Sequence, residues 1–385
     1  MDNDFARKAV AIMSEPPFSG LAPSRLCDRC LGLDFWKPGF RIADFVGELE
    51  ERSRRCDLCN MLWQTCRKFK GDKRSTVVFE RSQSNLLVNG LDYPPALSIF
   101  HSRGKNVSGI PPRYLVTASG LAYKKDPAGL HTPFPIQLGL PKLPECTSDS
   151  FLSIVKCWVE DCDNNHRECR NQAQGGLPTR LIDVATGDAS AVHLCETKPG
   201  EKGRYVALSH PWGDSKIHPP FRTLRSNYDK LLNEGIPFDD LPQTFQDAVK
   251  TTRGLGIRYL WIDSICIIQG PDGDFNSQAP LMEDVFSSAY CVIAASRAKG
   301  QCDGFLKPRN QRDVVTMQRQ GEVPFYICPV IDDFATDVLD GHLNTRAWVL
   351  QERALAKRTI FFTETQTYWE CGIGVRCETF TKMKK

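Results

Sequence analysis

No stretch of this chain approaches the roughly 18 consecutive apolar residues that a bilayer span needs, and the sequence contains no internal repeat and no low-complexity tract. A membrane span and a solenoid are therefore not expected. Nor do the basic residues form a long run with interleaved aromatics. The 49 basic residues stand against 46 acidic ones, for a net charge of +3, so nucleic acid is not an expected partner. A Gly-rich phosphate fingerprint is missing too, which leaves any nucleotide site to be built from other groups. The first residues, MDNDFARKAVAIMSEPPF, are acidic where a secretory signal is basic and hold no sustained apolar run. A soluble, cytoplasmic protein is the expectation.

What is present is a chain of 385 residues with an apolar fraction of 41%, more than one core of about 100–200 residues accounts for. Two domains are expected. The stretch TPFPIQLGLPKLPE, Thr132 to Glu145, carries four prolines and a glycine and suits an extended connector. The boundary is placed there. Residues 1–145 form an N-terminal α+β region with short strands at Thr76 to Phe79, Asn85 to Val88 and Ala96 to Phe100, and residues 146–385 form the second domain, its core at about 177–371.

In the second domain, Phe151 to Arg170 reads as one helix on the spacing of Phe151, Ile154, Val155, Trp158 and Cys162. Strands at Tyr205 to Ser209, Arg258 to Asp263, Cys291 to Ala295, Thr359 to Phe362 and Thr367 to Glu370 alternate with helices near Leu224 to Leu232, after Pro242, at Leu281 to Ser288 and at Ala347 to Leu355. Asp239 or Asp240 is available to cap the helix after Pro242, and Gly254 or Gly256 to end it. Helices alternating with short apolar strands predict an α/β fold with a largely parallel sheet flanked by helices.

Sixteen cysteines in a chain too long to need disulfides point to thiols or metal ligands. Cys27-x-x-Cys30 and Cys56-x-x-Cys59 have the type and spacing of a structural zinc site. Two unrelated pairs of part-buried thiols is the competing reading. Cys162, His166 and Cys169 fall at i, i+4, i+7 and would share one side of a helix. Spacing alone does not supply their fourth ligand, although His193 and Cys195 follow the next predicted strand.

Three segments hold more aromatic, acidic and turn residues than core packing requires: YVALSHPWG at Tyr205 to Gly213, LPQTFQDAVKTTRGLGIRYLWIDSICIIQ at Leu241 to Gln269, and LNTRAWVLQERALAKRTIFFTETQTYWEC at Leu343 to Cys371. In each, an apolar strand runs into polar groups, as at the ligand crevice of an open α/β sheet. Ser209, His210, Trp212 and Gly213 follow the first strand, and Asp263 and Ser264 the second. Asp263 could contact a ligand or cap the following turn. Trp348 and Glu352 fall on one helical face; an ion pair of Glu352 with Arg346, Arg353 or Arg358 is the structural alternative to a site role.

These blocks, with the approach segment LPTRLIDV and the middle block MEDVFSSAYCVIAASRA, resemble in order and wording the fungal heterokaryon-incompatibility (HET) domain. The resemblance implies a self/non-self recognition module that triggers programmed cell death, with other signalling proteins or self-association as its partners. His210 and Pro211 stand at positions that often carry Tyr and Cys in the family. The element from Trp348 to Glu352 is similar to the Trp-Cys-x-x-Glu of TIR domains, in which the Glu is catalytic in the members that cleave NAD, though Val349 replaces the Cys. By that analogy Glu352 is the catalytic residue, NAD or a related nucleotide the substrate, and Ser209, His210, Trp212, Gly213, Asp263, Ser264 and Trp348 its surroundings. A non-catalytic adaptor is the alternative. The chain stops at CETFTKMKK, where family members often continue, so a truncated or a short stand-alone form is expected.

Overall fold

The computed structural model describes residues 21–34, 41–66, 73–74, 76–81, 86–88, 91–93, 96–101, 115–119, 140, 142–170, 176–185, 189–317, 325–329, 331–345, 347–380 and 382–383. Most of the proline-rich connector and the N-terminal MDNDFARKAVAIMSEPPF lie outside them. The chain forms two compact units. One takes in Met1–Pro144, Asn310–Asp332 and Glu378–Lys384, and the other Glu145–Arg309 and Asp333–Cys377.

The first unit begins with the single-turn helix Asp28–Leu31, strand β1 (Arg41–Phe45), and the helices Val46–Ser53 and Asp57–Cys66. Strands β2 (Thr76–Arg81), β3 (Leu86–Val88), β4 (Leu91–Tyr93), β5 (Ala96–His101) and β6 (Leu115–Ser119) follow. Leu49, Leu58, Met61 and Leu62 from the helices pack against Val77 and Phe79 of β2 in one core. Burying each of these side chains fully is worth about 1.5–3 kcal/mol.

The second unit contributes β7 (Arg180–Asp183), β8 (Ala191–Glu196), β9 (Tyr205–Ser209), β10 (Ile236–Pro237), β11 (Tyr259–Trp261) and β12 (Cys291–Ala294). The chain then returns to the first unit for β13 (Val315–Met317) and β14 (Phe325–Pro329), which complete the sheet order β1-β2-β5-β6-β14-β13. Helix Ala347–Leu355 and strands β15 (Arg358–Phe362), β16 (Thr367–Cys371) and β17 (Gly374–Cys377) finish the second unit.

Its sheet runs β10-β8-β7-β11-β9-β12-β15-β16-β17. Only the centre is parallel: β11 with β9, β9 with β12, and β12 with β15. Strands β7 and β8 on one side and β16 and β17 on the other pair antiparallel. The sheet is thus mixed, and the expectation of a largely parallel one is corrected. Strands β9 and β12 are buried at every position, as a parallel strand covered on both faces must be, whereas Ala191–Glu196 alternates between buried and half-buried and signals a strand wetted on one face.

Two local readings also change. The predicted helix Phe151 to Arg170 is two helices, Asp149–Asn165 and Arg167–Arg170, because His166 leaves the helical region at φ −101°, ψ 94°. Asp239 and Asp240 lie in a 3₁₀ turn, and Pro242 itself stands at the N-cap of helix Gln243–Gly254. That helix is followed by Gly256 at φ +73°, a left-handed backbone that glycine adopts without a Cβ clash.

Candidate functional site

The parallel register sets Tyr205 beside Tyr259 and Ala207 beside Trp261, with Ser209 beside Ala294 on the other flank. From β9 the chain visits β10 and then β11 on one side before crossing to β12 on the other. Such a reversal opens a crevice beyond the carboxyl ends of the strands, where doubly wound sheets bind ligands. Ser209 to Gly213 and Asp263 leave the sheet at that end.

Three contacts assemble these groups. Ser209 Oγ donates to Oε2 of Glu352 at 2.5 Å, across 143 residues of sequence. Trp212 Nε1 donates to Oδ2 of Asp263 at 2.8 Å, and His210 Nδ1 lies 3.9 Å from Asp263 Oδ1. Asp263 Oδ1 also accepts from the Ser264 amide at 2.7 Å, so the carboxylate both meets the tryptophan and caps its own turn. His210 is buried, its ring edge-on to Phe245 with centroids 5.1 Å apart. The predicted residues Ser209, His210, Trp212, Asp263, Ser264 and Glu352 are therefore brought to one end of the sheet. Trp348 lies on the helix of Glu352, but its side chain is outside the described residues.

Gly213 shapes the loop rather than the crevice wall. It sits at φ +83°, and a Cβ there would stand 2.5 Å from the His218 ring. His218 is held in turn by the Cys302 amide, which donates to its Nδ1 at 3.2 Å, while Gly300 passes so close that its own Cβ would lie 2.4 Å from the ring.

Asp247 was not singled out in the sequence, yet its carboxylate is buried and accepts from the Phe305 and Leu306 amides at 2.7 and 2.9 Å and from Gln243 Nε2 at 2.8 Å. It anchors the loop that supports His218. The available signal was an acid on the apolar face of helix Gln243–Gly254, next to Ala248 and Val249. Among the arginines weighed as partners of Glu352, Arg353 makes a two-pronged pair with Glu370 at 3.1 Å for both contacts, Arg358 pairs with Asp163 at 2.8 Å, and Arg346 is outside the described residues. A separate cleft of about 350 Å³ lies at the opposite end of β9, lined by Leu177, Thr179, Tyr205, Gln278 and Asp284. None of the predicted site residues lines it.

In the first unit, Cys27, Cys30, Cys56 and Cys59 converge with all four sulfurs within 4.8 Å of one another. Cys30 and Cys27 lie 3.5 and 3.9 Å from Cys59. The thiols share protons unequally. Hydrogen bonds from Cys30 and Cys59 pull Cys56 well below the ordinary thiol range, and hydrogen bonding to Cys56 pushes Cys30 above it. A divalent cation would relieve that competition by taking four thiolates at once, and the donor set fits a closed tetrahedral zinc site.

Comparison with known proteins agrees with the blocks. A 97-residue stretch is 35% identical to heterokaryon incompatibility protein 6, OR allele, of Neurospora crassa, and covers 23% of this chain and 14% of that protein. The chain thus matches only a small part of that relative's length. No solved structure matches. The family model described as heterokaryon incompatibility protein (HET) matches residues 205–352. That match opens on the first residue of β9 and closes on the carboxylate to which Ser209 donates, and on it the stretch from Tyr205 to Glu352 is similar to a heterokaryon-incompatibility domain.

Proposed function

We propose that this protein is a fungal incompatibility module that promotes cell death by cleaving NAD or a related nucleotide, with Glu352 as the catalytic carboxylate. The observation that carries the reading is the Ser209 to Glu352 hydrogen bond, which fixes a carboxylate over the carboxyl ends of parallel strands. In the reaction the bond between ribose C1′ and the nicotinamide nitrogen breaks, and the electron pair leaves with nicotinamide. Positive charge develops on the sugar, Glu352 stabilises it, and water adds at C1′ with release of a proton. Trp212, tethered to Asp263, offers a ring face for stacking on a base.

The experiment is incubation of the purified full chain, at several concentrations, with NAD and with NADP while nicotinamide release is followed. Release by the wild type that disappears in Glu352→Gln at an unchanged melting temperature is the expected result. No release at any concentration, or full release by the variant, overturns it.

A non-catalytic adaptor is the second reading. Ile217, 69% exposed on the loop after Trp212, favours it as an apolar group available to a partner protein.

A further inference from the structure

The cysteines left over from the N-terminal quartet include a second set in the other unit. Cys162 is on the last turn of helix Asp149–Asn165, His166 at the break after it, Cys169 on the short helix that follows, and Cys371 at the end of β16. Their ligand atoms all lie within 4.8 Å of one another, and all four residues are buried, His166 the least so at 7% exposure. The break at His166 has a geometric effect. It turns the histidine and Cys169 out of the helical repeat and onto the sheet, where Cys371 completes the set in place of the His193 or Cys195 that sequence proximity suggested.

The orientation of His166 is the second observation. Its Nε2 lies 3.3 Å from Oδ2 of Asp161, and that oxygen also accepts from Arg376 Nη2 at 2.8 Å. A neutral imidazole with its Nε2–H toward this carboxylate would present the Nδ1 lone pair to sulfur. Cys371 Sγ is 3.5 Å from Nδ1. A histidine whose far nitrogen is fixed by a carboxylate and whose near nitrogen faces thiols is arranged as metal-bound histidines are. Zinc with sulfurs at about 2.3 Å and a ring nitrogen at about 2.0 Å needs the donors only slightly closer than they stand.

We propose that Cys162, His166, Cys169 and Cys371 bind a zinc ion as a closed Cys₃His site. Four protein ligands leave no open position, so the ion holds structure rather than reacting. It ties the end of helix Asp149–Asn165 to β16, whose Glu370 is the neighbour of Cys371 and the partner of Arg353. The proposal does not depend on nucleotide cleavage.

The test is metal content of the full chain by mass spectrometry, measured for the wild type and two variants. Cys371→Ser is expected to hold one zinc fewer per chain than the wild type, and Cys371→His, which still offers a ligand, to keep it. Asp161→Asn is expected to surrender one zinc to a colorimetric chelator about 10–100-fold more readily. Should Cys371→Ser fail to fold, alkylation of the wild type supplies the readout: Cys162, Cys169 and Cys371 are to be modified together, and only after chelator is added. Equal zinc in folded wild type and Cys371→Ser overturns the site, as does alkylation indifferent to chelator or a Cys162–Cys371 disulfide in the purified protein.

Discussion

The contact between Ser209 and Glu352 is a single hydrogen bond, and its removal separates positioning from stability. Ser209→Ala is expected to cost about 1 kcal/mol of stability while lowering kcat for nicotinamide release with little change in KM, because the carboxylate loses its orientation and the substrate keeps its other contacts. Unfolding curves and steady-state kinetics on the same preparation check both. Gly213 allows a second, purely structural experiment. Gly213→Ala meets both a left-handed backbone and the His218 ring at 2.5 Å, so a loss on the order of 2–4 kcal/mol is expected. Gly256→Ala shares the backbone conformation at φ +73° but has nothing within 4 Å, and about 1–2 kcal/mol is expected. Similar urea midpoints for the two variants would show that the His218 contact yields freely.

Among the elements, helix Gln243–Gly254 does more than fill space, because its Asp247 holds the loop that follows β12. Asp247→Ala leaves the Phe305 and Leu306 amides without their acceptor in a buried place, and a loss on the order of 3 kcal/mol is expected, read as a lower melting temperature. Strands and helices were legible at several places where a short apolar run met turn residues: β9, β11, β12 and helix Ala347–Leu355 could be placed within about two residues, whereas β8, β13 and β14 were passed over. Strand direction was not. The residues of β16 and β17 are as buried as those of the parallel centre, so burial pattern alone does not reveal that the chain doubles back there. Convergence of Ser209, Asp263 and Glu352 on one end of the sheet followed from strands ending in polar groups. The support from His218, Gly300 and Asp247 did not, because it depends on a loop closing over a ring and leaves no periodic trace. The i, i+4, i+7 spacing of Cys162, His166 and Cys169 hid the helix break, and Cys371, more than 200 residues away, carried no local signal at all.

On the scale of the whole molecule, the cysteine quartet of the first unit joins its opening turn to helix Asp57–Cys66 through four side chains, beside the backbone bond from the Asp57 amide to the Arg25 carbonyl. Chelator is expected to raise hydrogen exchange across residues 27–66 while β9, β11 and β12 keep their protection; unchanged exchange in 27–66 would show that packing holds the quartet together without an ion. Neither unit is a continuous stretch of chain. The first lacks β13 and β14 until residue 329 has been made, and the second lacks β15 to β17 until residue 377. Synthesis therefore passes through a long interval in which β6 waits for β14 and β12 waits for β15, and both present bare edges to whatever strand comes by. A fragment ended at Arg309 is expected to freeze that interval and to associate, visibly by light scattering. The same interleaving governs how the domain can be isolated: cutting at Glu352, where the family match stops, would keep the carboxylate and discard the strands that flank its helix, so a soluble excised piece has to run on through Cys377.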